Sequence, residues 1–337
     1  MKQPKTVANS YTPGPMIARL PPFAKNLLKF LLGAVALWAL VRTGSLDPVL
    51  VGQAFVNHPA WCALAFVSFA CLVLIPAWIR WFLLLRMAGL APTPWRTFRL
   101  HMIGIFFNGL IPGGTGGDLV KGYYLYKDHR EGNRALALTS MAMDRLLGLY
   151  SLLCVGVAML ALNRGLWRDN AVLKANSVFY GSVFLAFTAA VVLFFSPFAR
   201  YFLEHPRLHT LPGGRFLKSL SDSLLIYRGR PGGVMAGLML TFVVDMGLVF
   251  IYACFAHALG IGLPFLAHGF VVPTLTMING IPISPAGLGL GEAAGNYMYN
   301  LLGVGEGGEI LALVHIAVLG FSLAGMPFYF LFKAKEG

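Results

Sequence analysis

Long apolar runs dominate the chain and restrict it to a membrane-spanning helical fold. A helix needs about 20 predominantly apolar residues to cross the hydrocarbon core of a bilayer. Among the 337 residues, 57% are hydrophobic and 12% are charged, which leaves no sizeable stretch for a soluble domain. We expect six full transmembrane helices, at about 27 to 42, 60 to 79, 135 to 162, 175 to 197, 232 to 257 and 309 to 332.

Two further apolar stretches are interrupted in the middle by glycine and proline. They cover about residues 97 to 127 and 264 to 302, and neither half of either stretch is long enough to cross a membrane. The first contains GGTGG at 113 to 117, and the second contains SPAGLGLGE at 284 to 292. Broken helices occur at membrane depth only where protein or water satisfies the freed backbone groups. We therefore predict two re-entrant broken-helix hairpins.

The distribution of lysine and arginine predicts the orientation, because cytoplasmic loops carry an excess of these residues. Basic groups precede the first span, follow the second span and flank the first broken stretch, whereas no Lys or Arg occurs between Arg230 and Lys333. We expect the first hairpin to enter from the cytoplasm and the second from outside, with both termini cytoplasmic. In this interpretation Arg80 and Lys121 lie on the cytoplasmic side.

An internal repeat relates the two halves of the chain. A shift of 171 residues places Asn108 on Asn279, the second span on the fifth and the third span on the last. Each half then makes an odd number of crossings, so the second half is inverted relative to the first. We predict a disordered cytoplasmic tail at 1 to 22, a first repeat at 23 to 165 and a second, inverted repeat at 166 to 337. Such an all-α arrangement is typical of transporters, whose substrate site lies near the bilayer midplane.

Five charged side chains fall at predicted membrane depth, where each costs on the order of 2.5 to 3.5 kcal/mol. Asp118 and Glu292 each begin the returning half of a broken stretch. They either only cap a helix or also bind cationic or hydroxyl groups of a substrate. Asp144 and Arg145 point about 100° apart. They either join a structural ion-pair network with Asp118 or Asp245, or bind substrate, with Arg145 on a lipid phosphate. Asp245 has no basic neighbour in the sequence.

Recognised cofactor and catalytic motifs are absent from the chain. GGTGG is not followed by the Gly-Lys-Ser/Thr of a nucleotide-binding loop, and neither glycine cluster has G-x-G-x-x-G spacing. The four cysteines are scattered, and His101, His257 and His315 lack ligand spacing. We therefore assign these histidines to packing or interfacial positions and expect no metal and no cofactor. The net charge of +13 is explained by cytoplasmic loops, and we expect no nucleic acid partner.

Three motifs extend this interpretation: NGLIPGGTGGDLVKGYYL at 108 to 125, SMAMDRLLGLY at 140 to 150 and PISPAGLGLGEAA at 282 to 294. Together they resemble the lysylphosphatidylglycerol synthase transmembrane-region family of flippase-like proteins, over about residues 25 to 330. The resemblance implies a lipid-handling protein of the bacterial cytoplasmic (inner) membrane, because the best-understood members move aminoacylated phosphatidylglycerol between leaflets and others serve glycolipid, polyprenyl-linked or hopanoid pathways. The chain ends at Gly337, so we expect it to lack the soluble synthase domain and its aminoacyl transfer reaction.

These observations lead to the hypothesis of a lipid flippase, in which a polar headgroup occupies a midplane cavity and the tails stay in lipid. The expected partner is a membrane lipid, and a homo-oligomer is left open. The alternatives are a membrane-embedded enzyme or accessory subunit acting on lipid-linked sugars, for which the buried acids would supply an acid–base pair, and a structural scaffold. We expect Asp118, Arg145, Asp245 and Glu292 to converge on one cavity. The full set of predicted substrate-binding residues is Asn108, Gly116, Gly117, Asp118, Asp144, Arg145, Asp245, Asn279, Gly289 and Glu292.

Overall fold

A computed structural model describes residues 37 to 90, 92 to 111, 116 to 128, 131 to 168, 170 to 196, 225 to 281 and 287 to 333, with residues 31, 34, 35 and 283. The described residues are helical or connecting, with no strand among them. The helices named below are α1 (Pro48–Asn57), α2 (Pro59–Met87), α3 (Pro94–Leu110), α4 (Gly116–Asp128), α5 (Glu131–Leu162), α6 (Arg164–Trp167), α7 (Ala171–Phe195), α8 (Pro231–Ala258), α9 (Phe265–Asn279), α10 (Leu290–Asn300) and α11 (Gly307–Lys333). Residues 37 to 42 and 225 to 228 are helical as well.

Among the described residues, five helices are long and apolar enough to cross a membrane, which confirms five of the six predicted spans. They are Pro59–Met87, Leu136–Leu162, Ala171–Phe195, Pro231–Ala258 and Gly307–Leu331. The remaining prediction, at 27 to 42, is helical at 37 to 42, and most of the rest lies outside the described residues. The predicted tail at 1 to 22 lies outside them as well. The chain is therefore an all-α, multi-pass membrane protein.

The first interrupted stretch forms two helices, α3 and α4, that pack against each other in antiparallel directions. The backbone N–H of Gly117 donates a hydrogen bond to Asn108 Oδ1 over 2.8 Å. One turn further along both helices, the Lys121 side chain lies against Gly104. Because the contacting residues lie farther from the break on both helices, the two helices run antiparallel. Residues 112 to 115 of the break lie outside the described part of the chain.

The second interrupted stretch is built in the same way from α9 and α10. Asn279, which ends α9, contacts Gly287 just before α10 begins. At the far end of the pair, His268 Nδ1 lies 2.8 Å from the hydroxyl of Tyr299. Residues 284 to 286 are not among the described residues. Both glycine-rich stretches therefore interrupt an antiparallel pair of helices.

Each broken pair of helices packs on a helix from the other half of the chain. The first broken pair packs through α3 on α11, where the Ser322 hydroxyl donates to the Ile105 carbonyl over 3.1 Å. The second pair packs through α9 on α5, where Pro273 lies beside Gly156. Helices α2 and α8, which correspond under the shift of 171 residues, pack on each other between them. Each broken pair thus rests on the last span of the opposite half.

Helix α2 contains a π-helical turn at Phe69–Leu74, directly before Pro76. Proline has no N–H group, and its ring clashes with the carbonyl of the residue four positions earlier, here Leu72. A wider turn relieves that clash, and such turns recur near functional sites. Leu72 in turn lies against Gly247 of α8, where any side chain would collide with it. This close approach brings the second half of α2, including Arg80, onto α8.

Two apolar clusters form the core. The larger cluster is centred on α8, α9 and α11 and contains fully buried side chains such as Phe255, Val271 and Leu313. The smaller cluster is centred on α2 and α3 and includes Trp81, which is 1% exposed, and Leu100. The charged side chains described below border these two clusters.

Candidate functional site

Asp118 lies in the first turn of α4, where two basic side chains bind its carboxylate. Asp118 Oδ1 is 2.7 Å from Lys121 Nζ, and Asp118 Oδ2 accepts hydrogen bonds from the guanidinium of Arg145 on α5. Lys121 is buried and its ammonium lies 4.9 Å from the centre of the Trp81 ring, a cation–π contact. The Arg145 side chain, in contrast, is 52% exposed. Asp118 is therefore held between one buried and one accessible cation.

The charge distribution predicts Arg80 and Lys121 on the cytoplasmic side, and the structure shows that both side chains are buried. Helix α2 continues to Met87 instead of ending near residue 79, so Arg80 lies within it. Lys121 lies within α4, one turn after Asp118. Each of these basic residues neutralises an acid within the fold.

A second charged group joins three long helices. Arg80 Nε of α2 donates to Asp144 Oδ1 of α5 over 2.7 Å, and Arg80 Nη1 donates to Thr241 Oγ1 of α8 over 3.0 Å. Asp245 follows Thr241 by one helical turn and is 7% exposed. Its Oδ2 atom is buried and has no hydrogen-bond partner among the described residues. Asp245, isolated in the sequence, thus lies close to Arg80 in the structure.

His101 of α3 lies between these two charged groups. It is 8% exposed and within electrostatic range of Lys121, Arg80 and Asp118. The sequence predicts a packing or interfacial position for His101, and the structure adds that its buried imidazole has charged neighbours. The two ion pairs and His101 therefore form one polar region that extends from α4 to α8.

Glycines at the start of α4 allow α3 and α4 to approach closely. A Cβ atom on Gly117 would collide with the carbonyl oxygen of Gly104, and one on Gly116 would collide with Ile111. Because Gly117 can approach α3, its N–H reaches Asn108 Oδ1. Asn108, Gly116 and Gly117 thus position the first turn of α4, and with it Asp118.

Glu292 occupies the corresponding first turn of α10 in the second half. Glu292 Oε2 accepts a 2.7 Å hydrogen bond from the backbone N–H of Gly289, and Glu292 Oε1 lies 2.7 Å from His315 Nδ1 of α11. Gly289 has a φ of 81°, a left-handed conformation that favours glycine. Glu292 and His315 are both almost completely buried. The pair closes the N-terminus of α10 against the last span.

Asn279 lies across Gly291 from His315. A Cβ atom on Gly291 would be 2.5 Å from Asn279 Oδ1 and 2.8 Å from His315 Cε1, so only glycine fits between them. Within the described part of the chain, Asn279 Oδ1 and His315 Nε2 are buried and lack hydrogen-bond partners. Asn279 thus occupies the position that Asn108 has in the first half. Unlike Asn108 Oδ1, however, Asn279 Oδ1 accepts no hydrogen bond from the described residues of the returning helix.

The structure brings the predicted residues together in separate groups. Asp118 contacts Arg145, Asp144 contacts Arg80 near Asp245, and Glu292 contacts His315. None of the salt bridges found among the described residues joins Glu292 to the other groups. The convergence of Asp118, Arg145, Asp245 and Glu292 on a single cavity stays a prediction.

The family model for the lysylphosphatidylglycerol synthase TM region matches residues 26–326. The chain belongs to this family. Comparison with curated proteins and with solved structures found no match to either. The match covers both broken helix pairs and all the charged residues described above, so the site lies within the part of the chain that defines the family.

In this lysylphosphatidylglycerol synthase TM-region protein, sequence reasoning missed the roles of Arg80, Lys121 and His315. The shift of 171 residues could have identified two of these positions, because it places Lys121 on Glu292 and Asp144 on His315. All four residues lie in charged or hydrogen-bonded pairs. No group of His, Cys, Asp and Glu in the described residues is arranged to hold a metal ion.

Proposed function

We propose that this protein moves a polar-headgroup lipid, an aminoacyl-phospholipid or a related lipid, from one leaflet to the other. One observation carries the proposal: Arg145 lies on a spanning helix, is 52% exposed, and is bound to Asp118 at the start of a broken helix. An arginine at membrane depth is costly unless it faces water or a polar ligand. A guanidinium also matches the geometry of a phosphate group through two parallel hydrogen bonds.

We infer that the two broken pairs are re-entrant hairpins of two inverted halves. The exchange of packing partners, α3 on α11 and α9 on α5, supports this inference because a two-fold relation between the halves requires such reciprocity. Inverted halves with discontinuous helices place the substrate site of transporters near the midplane, between the halves.

In this mechanism a lipid phosphate and Asp118 compete for Arg145. Without lipid, Arg145 and Lys121 share the carboxylate of Asp118. When Arg145 binds a phosphate, Lys121 still neutralises Asp118, so no buried acid is left unpaired. The headgroup then moves past the polar region while its tails remain in the bilayer. Asp144 and Asp245 lie near enough to this path to bind cationic or hydroxyl groups of the headgroup.

Leaflet exchange in liposomes tests the proposal. The purified protein is reconstituted with fluorescent phosphatidylglycerol, lysyl-phosphatidylglycerol or phosphatidylethanolamine, and the accessible fraction is measured by chemical quenching from outside. We expect faster exchange of at least one lipid, loss of most of that acceleration in Arg145→Gln, and near-normal exchange in Arg86→Gln, whose side chain is exposed outside this region. Failure to accelerate any lipid would contradict the proposal.

The Glu292–His315 pair favours a second candidate function, a membrane-embedded enzyme acting on a lipid-linked sugar. A carboxylate that orients an imidazole through Nδ1 leaves Nε2 available as an acid or base. If this candidate is correct, the purified protein should chemically convert a polyprenyl-phosphate sugar, and the His315→Gln variant should lose that conversion. Leaflet exchange without conversion of the lipid would exclude it in favour of transport.

A further inference from the structure

An apolar groove lies between α5, α7 and α8, on a different face of α5 from Arg145. Its volume is about 570 Å³, which is within the range of ligand sites. Leu147 and Tyr150 line it from α5, Ala190 and Phe194 from α7, and Leu238 from α8. All three helices are long and apolar enough to span the membrane, so the surrounding solvent is hydrocarbon. The groove therefore offers a site for an apolar chain.

Arg228 lies at one end of this groove. Its Nη2 atom donates a 2.7 Å hydrogen bond to the carbonyl of Ser196, directly after Phe195, which lines the groove. Pro231, which begins α8, lines the same end. Arg228 Nη1 is buried and has no hydrogen-bond partner among the described residues. An anionic oxygen would supply the acceptor that this N–H group lacks.

We propose that this groove binds one hydrocarbon chain of a phosphate-bearing membrane lipid, with the lipid phosphate on Arg228. The proposal rests on the proposed function and specifies the chemistry that the groove recognises, a long hydrocarbon chain attached to an anionic phosphate, as in a phospholipid or a polyprenyl phosphate. The apolar lining supports binding of a hydrocarbon chain, because the groove is walled almost entirely by aliphatic and aromatic side chains. The Arg228 guanidinium supports binding of a phosphate, since the two groups carry opposite charges.

The helices that form the groove also carry residues of the polar region. A Cβ atom on Gly237 of α8 would lie 3.0 Å from Leu147 of the groove wall and 3.9 Å from Arg80 Cγ. Leu147 and the Arg80–Asp144 pair therefore pack on the same turn of α8. A lipid chain in the groove keeps its headgroup on the protein, next to the helices through which the headgroup would pass.

Photo-crosslinking with matched variants tests this proposal. Nanodiscs receive phosphatidic acid that carries a diazirine on one acyl chain, and the labelled peptides are identified by mass spectrometry. We expect labelling concentrated on the groove faces of α5, α7 and α8. Ala190→Trp fills the groove and should lower this labelling several-fold. Ala189→Trp, at the neighbouring exposed position outside the lining, should leave it unchanged.

The charge requirement is tested by a second pair of measurements. Arg228→Gln should lower groove labelling by the phosphatidic acid probe but not by an uncharged diacylglycerol probe with the same diazirine chain. Labelling spread evenly over the outward faces of the helices would indicate only annular lipid and overturn the proposal. Labelling that Ala190→Trp does not change would show that the labelled probe does not sit in the groove, with the same consequence.

The liposome experiment separates failure of this inference from failure of the proposed function. If wild-type protein exchanges lipid between leaflets but shows no concentrated groove labelling, the groove proposal is wrong and transport stands. If the groove is labelled as expected but no lipid exchanges, lipid binding stands and transport is wrong.

Discussion

Arg145 of α5 binds the carboxylate of Asp118, the acid in the first turn of α4. The second half repeats this relationship with different chemistry, because His315 of α11 lies 2.7 Å from Glu292 in the first turn of α10. In both halves, a nitrogen-bearing side chain on the span after the broken pair holds the N-terminus of the returning helix. The returning helix therefore cannot shift without changing a polar contact with that span.

Replacement of Asp118 should destabilise the protein far more than replacement of Arg145. Asp118→Ala leaves the buried ammonium of Lys121 without its carboxylate, and an unpaired buried charge costs about 3 to 5 kcal/mol. Arg145→Gln removes a half-exposed partner, for which about 0 to 1 kcal/mol is typical. Thermal unfolding in detergent, followed by monodispersity on gel filtration, measures both losses. Equal losses would show that Lys121 does not depend on Asp118.

Arg80→Ala should weaken the packing of α2, α5 and α8 together. The substitution removes the bonds to Asp144 and Thr241 and leaves the Asp144 side chain, which is 12% exposed, without its cation. We expect a loss of about 3 to 5 kcal/mol, most of which the double variant Arg80→Met with Asp144→Leu regains, because apolar groups can replace both partners of a buried pair.

Arg86→Ala is the matched control for Arg80→Ala, since Arg86 lies on the same helix with an exposed side chain. A change within about 0.5 kcal/mol is expected there. The melting temperatures of the three variants decide the matter. A double variant no more stable than Arg80→Ala would mean that apolar packing cannot replace the polar contacts between α2, α5 and α8.

The spans could be predicted from sequence because a bilayer admits so few backbone structures. A long apolar run must be helical there, and glycine with proline in its middle must break it. The Asp118–Arg145 contact was among the alternatives considered, since both residues stood out as charges in apolar surroundings. These features depend on local composition, which a single sequence displays directly.

The roles of Arg80 and Lys121 could not be predicted in the same way. A basic residue near the end of an apolar run has the same local sequence whether it faces the cytoplasm or pairs with a buried acid. Arg80 and Asp144 are 64 residues apart in the chain, and only the packing of α2 on α5 brings them together. His315 presented a similar problem, because its partner Glu292 lies on a different helix.

His315→Leu should destabilise the second broken pair, and His315→Gln should recover part of the loss. Leucine leaves Glu292 Oε1 buried without its partner, at a cost of about 1 to 3 kcal/mol or more for a charged group. The glutamine amide can donate a hydrogen bond to the same oxygen. Protease accessibility and thermal unfolding of the two variants provide the comparison. Identical destabilisation by both would indicate that imidazole packing, not the hydrogen bond to Glu292, stabilises this region.

Gly117→Ala should separate α3 from α4 and impair both folding and transport. The added methyl group would collide with the Gly104 carbonyl oxygen, a backbone atom that cannot rotate away, and would weaken the bond from the Gly117 N–H group to Asn108. Gly148→Ala on α5 is the control, because nothing lies within 4 Å of its added Cβ. Alanine there should stabilise the helix by up to about 1 kcal/mol. Melting temperature and leaflet exchange of the two variants test the prediction. If Gly117→Ala behaves like Gly148→Ala, the close contact of the two helices does not constrain the tip, and Asp118 must be positioned by its ion pairs alone.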